Sequence, residues 1–254
     1  MADLKALIFD VDGTLANTEE AHRQAFNYSF KQAGLDWDWD VALYTKLLKV
    51  TGGKERIRHY VEDFLNETIE QDKVVALHLA KNDRYQSVVL DHQLPLRPGI
   101  KRIIEQARAQ NMTLAIATTT SPGNVNNLVK ACFGEEALGW FDIIAEGELV
   151  PIKKPKPDVY EYVLDHLKLT AQECVAFEDS YNGVRAATCI NMPTLITLNN
   201  YTAEDDFSGA MIVLDTLGDE NVASNILATE INTKVDGMVN LDTVIEMHKA
   251  FTSK

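Results

Sequence analysis

The segment KALIFDVDGT, Lys5 to Thr14, constrains the fold more than any other part of the chain. Ala6 to Phe9 form an unbroken apolar run. Asp10 and Asp12 follow it two positions apart, ahead of Gly13 and Thr14. A short run without polar alternation reads as a strand covered on both faces, as in a parallel sheet lined by helices. Two carboxylates cannot lie inside such a layer unpaired. They belong at its carboxyl edge, where open parallel sheets bind ligands. A pair of aspartates that merely capped a turn would not need a strand leading straight into them.

The rest of the chain divides into two kinds of pattern. From Thr18 to His92 nothing reads as a buried strand. EEAHRQAFNYSFKQAG sets Ala21, Ala25, Phe26, Phe30 and Ala33 at helical spacings, with Gly34 as a stop. GGKERIRHYVEDFL and ETIEQDKVVALHLAKNDRYQSVVL predict two further helices. Trp37 and Trp39 fall in a turn of this stretch after Gly34, as packing residues. Beyond LPLRPGI, strands and helices alternate. MTLAIATT, FDIIAE, CVAFED, PTLITL and AMIVLDTL predict strands. SPGNVNNLVKACF, KPDVYEYVLDHLKL and SYNGVRAATCI predict helices, the first with Ser121 as cap and Pro122 in its first turn. The expected fold is α/β: a mainly parallel, Rossmann-like sheet covered on both faces. Residues 1–16 and 93–254 would form this core, and residues 17–92 an all-helical insert. The tail beyond Leu217 reads as helical and polar.

Charge and composition narrow the function. The net charge of -14 argues against general nucleic-acid binding and leaves an anionic substrate in need of a local cation. Three widely spaced cysteines without a CxxC pair read as reduced thiols, and six scattered histidines make a zinc site improbable. No run of about 18 apolar residues is present to span a membrane. The chain opens almost directly on a strand, without a charged and apolar leader. A cytoplasmic monomer is expected, and a plastid stroma is compatible if a leader was removed.

The polar residues that remain cluster at strand ends. Asp10 and Asp12 follow the first strand, Thr118 and Thr119 the second, and Glu178 and Asp179 the fourth. Lys154 lies in the loop after the third. Converging carboxylates repel one another without a cation, and Mg²⁺ suits an all-oxygen donor set. A hydroxyl, backbone N–H groups and a lysine suit a phosphoryl group. One carboxylate can attack phosphorus while a second moves protons. A strand-end pair that divides these tasks accounts for the spacing of Asp10 and Asp12.

With FDVDGT, LAIATTTS, KKPKPD and FEDS in this order, the sequence resembles the haloacid dehalogenase superfamily of phosphohydrolases. The resemblance implies Asp10 as nucleophile, Asp12 as general acid and base, and Thr118 and Lys154 as partners of the transferring group. It implies Mg²⁺ held by Asp10, the Asp12 carbonyl, Asp179 and Glu178, with Glu178 bound directly or through water. It also implies that the helical insert is a cap over a small-molecule substrate. Asp12 separates the chain from true dehalogenases, which lack that aspartate.

Over nearly the whole chain the sequence is similar to the CbbY-type sugar-bisphosphate phosphatases, which implies xylulose 1,5-bisphosphate as substrate. Gly53, Lys54 and Arg56 would then help bind its second phosphate. Arg97, Asn182, Thr119 and Thr120 would line the substrate, and His22 would position Asp12. Asn17 departs from the carboxylate that relatives often carry there. A phosphomutase of the β-phosphoglucomutase type and a phosphoglycolate phosphatase are the alternative enzymes. A phospho-accepting binding module is the alternative from another class.

Overall fold

The computed structural model describes residues 2–91 and 94–253, so the expected boundary between residues 92 and 93 lies outside the described residues. Strand β1 (Ala6–Phe9) is followed by four helices, α1 (Glu19–Gln32), α2 (Val41–Leu47), α3 (Gly53–His59) and α4 (Gln71–Leu90). Then come α5 (Ile100–Ala109), β2 (Thr113–Ala117), α6 (Pro122–Phe133), β3 (Ile143–Ala145) and α7 (Asp158–Leu167). β4 (Cys174–Glu178), α8 (Tyr181–Thr188), β5 (Thr194–Thr197), β6 (Ile212–Leu214), β7 (Ile226–Thr229) and α9 (Leu241–Thr252) complete the chain.

The strands form one sheet in the order β3-β2-β1-β4-β5-β6-β7. Every pairing is parallel except that of β6 with β7. β1 is central, and Phe9 stands in register with Ile116 on one side and Phe177 on the other. This register brings the carboxyl ends of β1, β2 and β4 to one level. Leu7, Phe9, Ile116 and Phe177 pack on one face against Ile103 and Ile104 of α5, Val125 and Leu128 of α6, and Val244 and Met247 of α9. Ile8, Ala115, Ala117 and Ala176 meet Val159 and Val163 of α7 and Ala186 and Ala187 of α8 on the other. Both faces of β1 are therefore apolar, which is why its sequence does not alternate. Burying such residues contributes about 1.5–3 kcal/mol for each large aliphatic side chain.

The helical stretch between β1 and β2 carries its own apolar cluster, including Phe26, Phe30, Trp39, Tyr44, Leu47, Ile57 and Leu77. Trp39 is fully buried there, edge-on to Phe30 at 4.8 Å between ring centroids. α1 stops at Gln32, and Gly34 follows with φ +68°.

The structure corrects the reading in three places. The tail beyond Leu217 is not simply helical: Ile226–Thr229 form an antiparallel edge strand on β6. This strand has four residues and is mostly exposed, so its brief run of Ile226, Leu227 and Ala228 does not read as a buried strand. α5 is an addition to the expected helices, although Ile100, Ile103, Ile104 and Ala107 have the spacing of one helical face. Ser121 stands at the start of α6 with Pro122 behind it, but its hydroxyl makes no cap; it accepts from Asn82 Nδ2 at 3.1 Å. Among the described residues no helix is long and apolar enough to cross a membrane.

Candidate active site

The register of the three central strands assembles the site. Asp10 continues β1 by one residue, its N–H donating to the Phe177 carbonyl at 3.0 Å. Thr118 continues β2, its N–H donating to Ala145 O at 2.9 Å. β4 ends on Glu178, and Asp179 follows. The loop after β3 carries Lys154 inward, where Nζ donates to Asp10 Oδ1 at 2.7 Å, Glu178 Oε1 at 2.6 Å and Ala117 O at 2.8 Å. Tyr160 of α7 donates its hydroxyl to the same Glu178 oxygen at 2.7 Å. Asp10, Glu178, Asp179 and Lys154 are all buried.

Charge in this cluster is unbalanced. Burial is the main force pushing Asp10 up to about 8, with Glu178 adding to it and Lys154 opposing it. Burial also lifts Asp179 well above the carboxylate range, followed by repulsion from Asp10 and Glu178. Burial works against the charge of Lys154, but its two carboxylate partners outweigh that and raise its pKa. Oxygens of Asp10, Glu178 and Asp179 lie within 4.8 Å of one another. Three buried carboxylates against one buried ammonium form an all-oxygen donor set still short of positive charge. A hard divalent cation fits such a set.

Asp12 lies beyond the cluster and is gripped by the first turn of α1. Thr18 Oγ1 donates to Asp12 Oδ1 at 2.7 Å, and His22 Nε2 meets the same oxygen at 2.9 Å. Thr18 and His22 are four residues apart, so the helix presents both to one side. Burial alone would raise Asp12; His22 and Thr18 overcome it and hold the carboxyl well below its usual range. Burial, then Lys81, lowers His22 to about 4, with Asp12 opposing, and the ring stacks on Tyr85 at 3.9 Å between centroids.

A cavity of about 480 Å³ opens over these residues. Asp10, Asp12, Thr118, Thr119, Thr120, Lys154, Asp179 and Asn182 line it from the sheet side, and His22, Gly53, Lys54 and Arg56 from the helical stretch. Thr120 N–H donates to Thr118 Oγ1 at 3.3 Å. The Arg56 guanidinium donates to the carbonyls of Leu47 and Val50, each at 3.2 Å, which holds it at the cavity wall. Asn182 lines the cavity, yet its amide is engaged elsewhere: Nδ2 donates to Lys49 O at 3.2 Å, joining α8 to the helical stretch.

Arg97 is corrected. It does not line this cavity but a separate one of about 220 Å³. Its guanidinium donates to the carbonyls of Gly13, Leu198 and Thr197, the last at 3.0 Å. It is a buried clamp between the loops after β1 and β5, with both terminal nitrogens engaged by backbone carbonyls.

Several cavity residues escaped the sequence reading: Glu19, His78, Lys81, Asn82 and Asn124. Lys81 had a legible signal. It falls between Leu77 and Tyr85 on the apolar stripe of α4, where a solvated lysine would not sit. Its ammonium lies 5.1 Å from the Phe26 ring and 5.3 Å from the Tyr85 ring. Burial lowers it to about 7. Burial, then Asp12, raises Glu19 to about 7.

Residues 4–191 match the family model of the haloacid dehalogenase-like hydrolases. The chain belongs to that family. Among known members, it is 50% identical to the plasmid-encoded protein CbbY of Cupriavidus necator over 85% of this chain and 87% of that protein. It is 47% identical to CbbY of Rhodobacter capsulatus over 82% of this chain and 91% of the relative. A crystal structure of a CbbY mutant from Rhodobacter sphaeroides, in complex with xylulose 1,5-bisphosphate, superposes with a TM-score of 0.79. That match has 41% identity and covers 84% of this chain and 94% of the other. The β-phosphoglucomutase of Clostridium difficile shares the fold, with a TM-score of 0.74 over 99% of this chain and 100% of the other at 18% identity. The chain is thus an enzyme, a phosphatase of the haloacid dehalogenase-like family.

Proposed function

We propose that the chain is a Mg²⁺-dependent phosphatase of xylulose 1,5-bisphosphate, with residues 17–92 as its cap. The observation that supports this reading is the lining of one cavity. Asp10 and Lys154 belong to its sheet side, while Lys54, Arg56 and Lys81 line it from the helical stretch. A substrate with two phosphates has use for cations on both sides; a monophosphate does not. The complex described for the Rhodobacter sphaeroides relative supports the same choice.

Asp10, Glu178 and Asp179, with the Asp12 carbonyl, would hold the metal. When bound, Mg²⁺ supplies the positive charge the cluster lacks and keeps Asp10 ionised. The Asp10 carboxylate attacks phosphorus, the sugar oxygen leaves, and an aspartyl-phosphate forms on Asp10. Lys154 neutralises Asp10 and the transferring oxygens, and Thr118 donates to one of them. Asp12 gives a proton to the departing oxygen and later takes one from the attacking water. His22 and Thr18 favour its carboxylate form, the form that acts as base. The negative phosphoryl group raises it toward the acid form only while substrate is in place. Closure of the cap keeps bulk water from the first step.

The test is phosphate release with Mg²⁺ across sugar mono- and bisphosphates, with Asp10→Asn as control. Preference for the pentulose bisphosphate, abolished in the variant, supports the reading. Isomerisation of a glucose phosphate without net release would replace it with a mutase.

A further inference from the structure

We propose that Asn199 is a positioning residue for Asp179, fixing which carboxylate oxygen faces the metal; this role rests on the Mg²⁺-dependent reading above. Asp179 is buried and makes no ion pair with the nearby lysine, which is taken by Asp10 and Glu178. Its close partner is Asn199, whose Nδ2 donates to Asp179 Oδ2 at 2.6 Å. Thr14 Oγ1 is the weaker neighbour of Oδ1, at 3.5 Å. One oxygen is therefore firmly held and the other lightly engaged. A carboxylate so held offers its second oxygen in one orientation.

Asn199 is itself locked. Its Oδ1 accepts the N–H of Tyr201 at 2.8 Å, which orients the amide with its NH₂ toward Asp179. Arg97 clamps the preceding carbonyl of Leu198, so the loop after β5 has little freedom. The loop after β1 is shaped around the same pair. Gly13 has φ +82°, and a Cβ there would overlap both Asp179 Oδ2 and Asn199 Nδ2. Glycine thus serves two ends, the turn and the room for this hydrogen bond. Three separate loops converge on the placement of one carboxylate oxygen.

The test uses the full chain, stripped of metal, and two substitutions. Asn199→Ala removes both hydrogen bonds. In Asn199→Ser the hydroxyl still accepts from Tyr201 N–H but is too short to reach Asp179. Calorimetric titration with MgCl₂ should give a dissociation constant weakened about tenfold or more in both variants. At saturating Mg²⁺ the turnover number should recover, and KM for the sugar phosphate should stay at the parent value. Unchanged Mg²⁺ affinity in either folded variant overturns the proposal. A loss in the alanine variant alone would assign the effect to the turn and overturn it too. If Asn199→Ala does not fold, the serine variant decides. A parent protein that binds no Mg²⁺ would remove the metal from the proposed function and this role with it. Normal parent binding with unaltered variants removes only the role of Asn199.

Discussion

Lys154 Nζ stands 2.7 Å from Asp10 Oδ1 and bridges that carboxylate to Glu178 at the centre of the sheet edge. The ammonium is the only lysine in direct contact with the buried carboxylates of this cluster among the described residues. Lys154→Met would keep the volume and leave Asp10 facing Glu178 without it. Removing one member of a buried ion pair costs roughly 3–5 kcal/mol. The loss should be greatest above neutral pH and smaller near pH 5, where a carboxyl can take a proton. Turnover should fall by about 10²–10³-fold. Thermal melts at the two pH values and steady-state rates check both expectations. Equal destabilisation at both pH values would contradict the charge argument.

Lys54 tests the substrate. Its side chain lines the cavity from the helical stretch, away from the strand ends. Lys54→Ala should raise KM for a sugar bisphosphate by about tenfold and leave kcat within twofold, as expected for lost binding outside the reacting group. The same change should barely move KM for a small monophosphate. Parallel effects on both substrates would argue against a second-phosphate contact.

Lys81 gives a pH dependence with a definite sign. Burial is the main cause of its fall to about 7, with Arg56 adding to it and Asp12 and Glu19 opposing. Between about 7 and the ordinary lysine value of 10.5 the unfolded chain binds more protons at this group than the folded one. Its contribution to stability therefore rises with pH across that window and is least favourable below it. Lys81→Met should be more stable than the parent at pH 6–7, by about 1–3 kcal/mol, with the gain shrinking toward pH 10. Denaturant midpoints at the two pH values measure this. A constant difference would mean that packing, not charge, sets the effect.

Arg97 separates scaffold from site. Its guanidinium ties Gly13 to Thr197 and Leu198. Arg97→Met should lower the melting temperature by several degrees, since it strands buried carbonyls at about 1–3 kcal/mol each. KM for the bisphosphate should stay within twofold. A rise in KM with an unchanged melting temperature would return Arg97 to the substrate.

Much of this molecule was legible in the chain itself. The unbroken apolar run of Ala6 to Phe9 announced a doubly covered strand, and the alternation beyond LPLRPGI announced the sheet around it. Asp10, Thr118, Lys154 and Asp179 could be named because each sits within a residue or two of a strand end or a loop of fixed place in that order. The sequence was less informative where contacts come from distant segments. Arg97 read as a cation for a substrate, yet three backbone carbonyls from two loops absorb it. Lys81 is marked by its position on the apolar stripe of α4, but its place in the cavity wall, like that of Asn82, is set by the packing of that helix. Asn199 had no signal at all; a hydrogen bond to a residue twenty positions away gives it meaning. Periodicity and strand-end chemistry are local, so the order of residues fixes them. Which polar group is consumed by the scaffold and which faces the cavity depends on long-range register and loop closure, and tertiary structure alone decides it.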